Sequence, residues 1–493
     1  MKIGFDNDKY LAMQAAHIKE RVDQFGGKLY MEFGGKLFDD HHASRVLPGF
    51  QPDSKIRMLE TIKEDVEVLI AISAWDIEKS KKRGDLGISY DEEVLRLIDI
   101  FHSMGFCVGS VVITQYAAQT AADAFIKRLT ALGVPSCRHY TIAGYPSDVA
   151  HIVSDEGLGK NDYVETTHPV VVVTAPGPGS GKMATCLSQL YHDHKRGIKA
   201  GYAKYETFPI WNLPLKHPVN LAYEAATADL NDVNMIDPFH LEAYGETTVN
   251  YNRDVEIFPV LNAMFQKIQG CSPYKSPTDM GVNMAGFAIV DDEVCREASR
   301  REILRRYYDG CVLRARGEGD ETTVRKLELV MQKAEVTTDL CPAIGACLAK
   351  AEATGAPAGA MELPDGTVVT GRTSDLLGAS AALLLNALKH MAHIDENLKL
   401  IPPSVIEPIS VLKTRSLGHK NPRLHSDEVL IALAISGLTN TLATMCQEQL
   451  THLRGCDAHF SVIISSEDIE LYKRLGINVT CEPRYEVKSL YHK

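Results

Sequence analysis

The chain lacks most of the features that place a protein in a special class. No run of about eighteen apolar residues occurs in its 493 residues, so no membrane-crossing helix is expected. The opening Met1-Lys2-Ile3-Gly4-Phe5-Asp6 has no apolar core of a signal peptide, and the expectation is a cytoplasmic protein. Positive charge is in deficit: 52 Lys and Arg stand against 64 Asp and Glu, a net charge of −12. That balance argues against nucleic acid or a membrane surface as the main partner, while leaving room for a local basic patch that binds phosphate. Eleven cysteines, an odd number, occur without a C-x-x-C pair. Neither a disulfide framework nor a zinc knuckle is indicated, and the thiols read as small buried hydrophobes. The hydrolase signatures H-E-x-x-H and G-x-S-x-G are missing as well.

What is present is the composition of an ordinary globular protein, 45% hydrophobic and 24% charged. Single cores stop growing at roughly 250–300 residues, so this length implies roughly two to four domains.

The most informative stretch is residues 169–195, PVVVVTAPGPGSGKMATCLSQLYHDHK. Four successive valines, Val170 to Val173, predict a strand buried on both faces. Gly177, Pro178, Gly179, Ser180, Gly181 and Lys182 follow at once, and then Met183, Leu187, Leu190 and Tyr191 recur at helical spacing. Strand, glycine turn, lysine and helix make a P-loop-like arrangement. Its glycines let backbone N–H groups converge on an anion, the helix end adds about half a positive charge, and Lys182 can reach a terminal phosphate. The pattern departs from the full signature, because Pro176 stands where the first glycine belongs and Met183 where a Mg²⁺-binding Ser or Thr belongs. Thr185 lies about 200° further round the helix and cannot simply substitute, whereas Ser180, in the turn, could. The plainer alternative is a tight turn whose glycines serve only packing.

Around this motif the pattern alternates between strand and helix, the mark of a parallel sheet wrapped by helices. A helix over 8–25 and a strand over 28–33 come first. Further strands are expected at 67–74, 108–115, 138–142, 170–174 and 200–205, with helices near 56–63, 91–104 and 117–132. Ligands of such sheets sit beyond the carboxyl ends of the strands. One rim therefore gathers the segment after Ala74, Gln115-Tyr116, Gly144-Tyr145-Pro146 and the glycine turn. Lys79, Lys81, Lys82 and Arg83 form the densest basic run and are read either as a solvated face or as part of an anion site on that rim. Lys36, Asp39, Asp40, His41, His42 and Arg45 share a loop that could hold a metal, against the simpler reading of a solvated or substrate-facing loop. Asp237 stands where a P-loop enzyme holds Mg²⁺ with a second acidic group, and residues 250–254 and 272–279 read as polar loops.

The division expected is an N-terminal α/β domain over 1–295, a helical connector over 296–350 and a C-terminal α/β domain over 351–493. The last begins with a hairpin through Pro364-Asp365-Gly366. A helix over 376–392, a strand over 404–412, a long helix over 427–453 with Ser426 as its cap, and a strand over 460–464 follow. That order is similar to the cytidine-deaminase topology, but the zinc ligands such enzymes need are missing, so deamination is not expected. Between its long helices lie Arg415, His419, Lys420, Arg423 and His425.

Three segments, 31–40 (MEFGGKLFDD), 174–182 and 414–428, resemble a bacterial family of unknown function with an N-terminal domain and a distinct C-terminal companion. The resemblance covers essentially the whole chain. It implies an architecture and no mechanism; the label ATP-dependent peptidase carried by some members finds no motif here.

Two functional classes follow. One is a phosphate-dependent enzyme that holds a nucleotide such as ATP, or another phosphorylated small molecule, on Gly177, Gly179, Ser180, Gly181 and Lys182. The other is a non-catalytic phosphate sensor or assembly protein, in which the C-terminal domain makes a homo-oligomer. Lys82, Arg83, Arg415, Lys420 and Arg423 are expected to line one cleft bridged by a phosphorylated ligand, since facing basic loops would otherwise repel; the alternative is that the loop around His419 only caps the helix after Ser426 in solvent.

Overall fold

A computed structural model describes residues 2–35, 37–38, 40–83 and 87–486. The expectations placed on Lys36 and Asp39 lie outside the described residues. The chain is mixed α/β and divides into two compact units: Lys2–Glu224 with Leu230–Ala298, and Ser299 onward with Ala225–Asp229.

In the first unit, α1 (Asn7–Gln24) opens on Asp6, whose carboxylate accepts from the Lys9 amide. Six strands then build most of a seven-stranded sheet: β1 (Leu29–Phe33), β2 (Val66–Ser73), β3 (Cys107–Tyr116), β4 (Ser136–Tyr140), β5 (Val170–Thr174) and β6 (Gly201–Tyr205). A short hairpin of β7 (Asn234–Ile236) and β8 (Val249–Tyr251) stands apart, and β9 (Gly281–Val282) closes one edge. The sheet order is β4-β3-β2-β5-β1-β6-β9, and every pairing in it is parallel.

This order has a consequence for ligands. From β2 the chain winds outward to β3 and β4, whereas from β5 it winds the other way, past β1, to β6. The crevice between β2 and β5 is therefore the switch point at which an open parallel sheet leaves room for a ligand. Right-handed crossovers put helices of opposite winding on opposite faces. Accordingly α2 (Tyr90–Ser103) packs on β2 and β3, while α3 (Lys182–Lys195) packs on β1, β5 and β6 together with α4 (Asn252–Gln269). The core on the α3 face joins Tyr30, Leu69, Val171, Val173 and Tyr202 of the sheet to Leu187, Leu190, Phe258 and Phe265 of the helices.

The second unit is entered along α5 (Asp292–Arg316), which begins in the first. Its four-stranded sheet runs β11-β10-β12-β13, formed by β10 (Ala358–Glu362), β11 (Val368–Arg372), β12 (Asp457–Phe460) and β13 (Asn478–Cys481). β10 is antiparallel to both neighbours, and β13 is parallel to β12. Arg301 binds Glu362 at 2.7 Å and Asp457 at 3.0 Å, and Arg305 binds Asp457 at 2.8 Å, so α5 is tied to this sheet by charge. The core gathers α6 (Ala379–Met391), α7 (Pro403–Val411), α8 (Ser426–Gly437), α9 (Thr441–Glu448) and α10 (Ser466–Arg474) around Leu383, Leu388, Val429, Leu433, Phe460 and Tyr472.

Several sequence expectations are corrected here. The strand placed at 404–412 is α7: Pro403 occupies the first helical turn, where its missing N–H costs nothing, and the β-branched Val405, Ile406 and Ile409 fall at helical spacing. The single helix over 427–453 breaks at Leu438, and Asn440 caps a new one by accepting from the Leu442 amide. The cap of α8 is His425, paired with Glu428, and not Ser426. The last strand of that prediction, 460–464, is β12 three residues earlier, and α10 and β13 were not foreseen. Residues 250–254, read as a polar loop, are the end of β8 and the first turn of α4.

Candidate functional site

β5 is buried along its whole length, with Glu32 of β1 beside Val173 on one flank and Leu69 of β2 on the other. Thr174 is its last residue, and the chain then turns sharply. Gly181 takes φ 84° and caps α3, and Gly179 takes φ 76°, a region open to glycine at little cost. Gly177 is required for space: a Cβ there would lie 2.2 Å from the Tyr90 hydroxyl. The Ser180 hydroxyl donates to the Gly177 carbonyl at 2.9 Å, and the Ser180 carbonyl accepts from Thr114 Oγ1 at 2.7 Å, which fixes the turn to β3. Thr185 Oγ1 donates to the Gly181 carbonyl at 3.0 Å. The Ser180 hydroxyl, suggested by sequence as a replacement for the missing Mg²⁺ ligand, is thus buried and bonded within the turn, as is the Thr185 hydroxyl that the helix geometry sets aside.

Among the described residues, the backbone N–H groups of Gly179, Gly181, Lys182 and Met183 donate to no protein group. Lys182 itself makes no hydrogen bond or ion pair among the described residues and is half-buried. The turn therefore presents unused donors at the positive end of a fourteen-residue helix.

The rim loops around it are unevenly committed. Lys81 lies 3.3 Å from Asp76 and 5.0 Å above the Tyr90 ring, the same ring that abuts Gly177. Arg83 is engaged by the buried carboxylate of Glu93, which also binds Arg96 at 2.7 Å. Lys79 and Lys82 are exposed. Six non-glycine residues among those described adopt positive φ, and three of them lie on this rim: Gln115 at the end of β3, and Ser80 and Ala118 in the segments that follow β2 and β3. Such conformations cost on the order of 1 kcal/mol or more each and concentrate at binding sites.

Sequence reading missed the charged cluster at the ends of β1 and β6. Lys204 lies 2.6 Å from Asp254, in the first turn of α4, and 2.9 Å from Glu206. Glu32 accepts from the Tyr202 hydroxyl at 2.7 Å. Burial alone would lower the Lys204 pKa, but the charges of Asp254, Glu206 and Glu32 outweigh it and hold the ammonium well above its ordinary range. Burial pushes Glu206 up to about 7 against the pull of Lys204. Cys186, one helical turn after Lys182, feels burial first, which raises its pKa, then Glu32, which raises it further, and Lys182, which lowers it. The cluster therefore belongs to the α3 face of the rim, with three carboxylates around one ammonium. Its signal was available in the sequence: Glu32 in LYMEF and Lys204 in GYAKY are charges inside strands that the α/β alternation buries.

Other candidates are structural. Asp237 caps the Pro238–Tyr244 helix, accepting from the Phe239 and His240 amides, and takes the Thr278 hydroxyl at 2.6 Å, which uses its oxygens without a metal. Asp40 pairs with Lys55 at 2.9 Å and caps the His41–Val46 helix, while His42 lies edge-on to Phe208 and Tyr223. At the opposite, amino end of the sheet, Glu67, Cys107 and His168 approach closely enough to hold a cation. One Glu67 oxygen already accepts from the Thr167 amide at 2.8 Å and lies 3.2 Å from His168 Nδ1, so the group reads first as a clasp between β2 and the start of β5. In the second unit, Arg423 binds Glu486 at 2.8 Å, and Arg415 and Lys420 are exposed.

Fold and site together define a two-unit α/β protein, with a large parallel sheet whose switch point carries a glycine turn and a lysine with no partner among the described residues, and with a charge cluster at the ends of β1 and β6. The chain belongs to the family described as domain of unknown function DUF1846, whose N-terminal model matches residues 3–335 and whose C-terminal model matches residues 340–491. It is 58% identical over 492 residues to UPF0371 protein SUB1165 of Streptococcus uberis and to a UPF0371 protein of Streptococcus thermophilus, covering 100% of each chain. UPF0371 protein SpyM50764 of Streptococcus pyogenes is 57% identical over 491 residues, with 100% of this chain and 99% of the relative covered. No described helix is long and apolar enough to cross a membrane.

Proposed function

We propose that the first unit binds a nucleotide or another phosphorylated small molecule on the 177–182 turn, in the manner of a P-loop. The observation that carries this reading is the set of amides at Gly179, Gly181, Lys182 and Met183, unused among the described residues, beside a lysine whose side chain has no partner among them, at the sheet's switch point. Four unused N–H groups in one turn and an ammonium suit an anion, and an apolar ligand would leave them unsatisfied. Lys82, exposed on the neighbouring loop, supplies further positive charge.

Of the two forms of this proposal, the enzyme is favoured over the sensor by the Glu32–Lys204–Glu206–Asp254 cluster. Binding a phosphate needs no buried carboxylates, whereas moving a proton or holding a cation does. We read the second unit as cytidine-deaminase-like in plan but without zinc ligands, so its contribution is assembly and not deamination. Calorimetry with ATP, GTP and simple phosphorylated metabolites, with and without Mg²⁺, tests the reading. Binding should appear at or below millimolar ligand and weaken in Lys182→Ala; no binding, or equal binding by both proteins, refutes it. A strong rise in affinity with Mg²⁺ together with product formation selects the enzyme.

A further inference from the structure

Helix α8 is apolar on the side it should show to water. Val429, Ala432, Leu433 and Ser436 face the core, which accounts for one side. The opposite side carries Ile431, Ala434, Ile435 and Leu438 at spacings of three and four, and Ile431 is 60% exposed, Ile435 49% and Leu438 84%. A surface helix of a globular protein shows polar residues there; a helix that is apolar all round is buried by something. Leu412, 53% exposed, and Leu417, 64% exposed, belong to the turn that follows α7, the helix packed against α8.

We infer that this face pairs with the same face of a second copy of the chain, two α8 helices lying antiparallel across a two-fold axis near Ala434. Three observations favour a second copy as the occupant. The first is area: five aliphatic side chains at these exposures offer roughly 600 Å² of apolar surface, and a standard interface buries about 800 Å² per partner, a little over half of it apolar. The second is shape. The stripe is short, is centred on the small Ala434, and is flanked by Ile431 on one side and Ile435 and Leu438 on the other, so it is self-complementary under a two-fold axis, as an isologous contact must be. The third is charge. Arg415 and Lys420 are exposed on the loop that leads into α8. The amino end of their own helix already carries Asp427 and Glu428 in its first turn, so the two cations stay exposed, and antiparallel pairing sets them by the negative carboxyl end of the partner's helix. The basic loop left over by the sequence reading thereby gains a role that requires no ligand and is independent of the phosphate proposal.

Sedimentation velocity on the full chain is the test. At tens of micromolar the wild type should sediment as a dimer of 54.3 kDa chains, and Ile435→Glu and Leu438→Glu should each weaken dimerisation more than a hundred-fold. Ile435→Val should retain it. Because these side chains project into water, the glutamate variants should keep the wild-type circular dichroism and melting of the monomer, which separates loss of pairing from loss of fold. Arg415→Glu should weaken the dimer several-fold, less so at high salt. A monomeric wild type, or a dimer that Ile435→Glu and Leu438→Glu leave intact, overturns the inference; in the first case the face serves a different partner.

Discussion

Replacing Lys182 with alanine separates a phosphate site from a packing turn, because the two readings assign this side chain opposite roles in the unliganded protein. Lys182 touches no hydrogen-bonding partner among the described residues and acts on its surroundings only as a charge near Cys186. Its removal should therefore change the stability of the free protein by no more than about 0.5 kcal/mol, the usual range for a surface substitution. In the complex, the ammonium makes a charge-assisted contact worth about 1.5–3 kcal/mol, so affinity should fall by roughly 10- to 150-fold. Thermal unfolding reads both quantities at once. Ligand at a hundred times its dissociation constant stabilises the wild type by about 2.7 kcal/mol. A thirty-fold loss of affinity at the same concentration leaves about 0.9 kcal/mol, which reduces a melting shift of several degrees to about two or three. Raising salt should shrink the wild-type shift toward that of the variant. Equal ligand shifts in both proteins would refute the site. A drop of more than about 1 kcal/mol in the free variant would refute the premise that the lysine is uncommitted.

Three further outcomes follow from particular contacts. Gly177→Ala should cost about 1–3 kcal/mol and weaken ligand binding, since its Cβ would sit 2.2 Å from the Tyr90 hydroxyl, and Tyr90→Ala in the same chain should recover part of the loss in denaturant titrations. Burial would raise the Asp468 pKa, but the hydrogen bonds from His425 and Ser426 outweigh it and hold the carboxyl at about 2, below its ordinary 3.8. That stability, about 2 kcal/mol, is present above the unfolded pKa and is lost as pH falls toward 2, so Asp468→Asn should lower stability at pH 7 by this order and flatten the acid limb between pH 4 and 2. Glu206 has the opposite sign: with its pKa pushed up to about 7 by burial, the native state binds its proton more tightly than the unfolded chain, and stability falls as pH rises from about 4.5 to 7. Glu206→Gln should remove that decline in chemical denaturation at pH 5 and pH 8; an unchanged difference between the two would show that the carboxyl is not buried in solution.

The sheet was legible in the sequence because parallel strands are covered on both faces and so read as continuous apolar runs. Val170–Thr174 emerges with its predicted boundaries, and β2 and β3 within one residue. Strand order was not legible. Alternation of strand and helix says that β5 follows β4, but its insertion between β1 and β2 depends on which face each crossover takes, and no local pattern encodes that. The largest helix missed, α4, begins in the polar Asn252-Arg253-Asp254 and carries Pro259 within it, a combination that reads as loop until the buried Phe258, Leu261 and Phe265 pin it to the sheet. The strand expected at 404–412 failed for the complementary reason, since β-branched residues favour a strand locally while the proline at the start of α7 and packing against α8 decide for a helix.

The site divides along the same line. Glycines and a lysine in a turn are visible in sequence because they are adjacent in the chain; the charge cluster is invisible because Glu32, Lys204, Glu206 and Asp254 come from β1, from the end of β6 and from α4, more than two hundred residues apart at the extremes. What the sequence did hold was a contradiction. LYMEF and GYAKY are interior strands of the sheet, and each carries a formal charge that burial penalises by several kcal/mol unless a partner is supplied. Tyr202 for Glu32 and two carboxylates for Lys204 supply it. Yet three carboxylates share one ammonium, so the pairing leaves the group negative on a rim whose neighbouring turn is positive. A fold seeking only stability would fill these positions with apolar side chains at no loss. Amides after β5, unused among the described residues, and carboxylates at the ends of β1 and β6 share one rim, and the binding mode proposed above is the one that would use both, with a phosphate on the amides and its cation on the carboxylates.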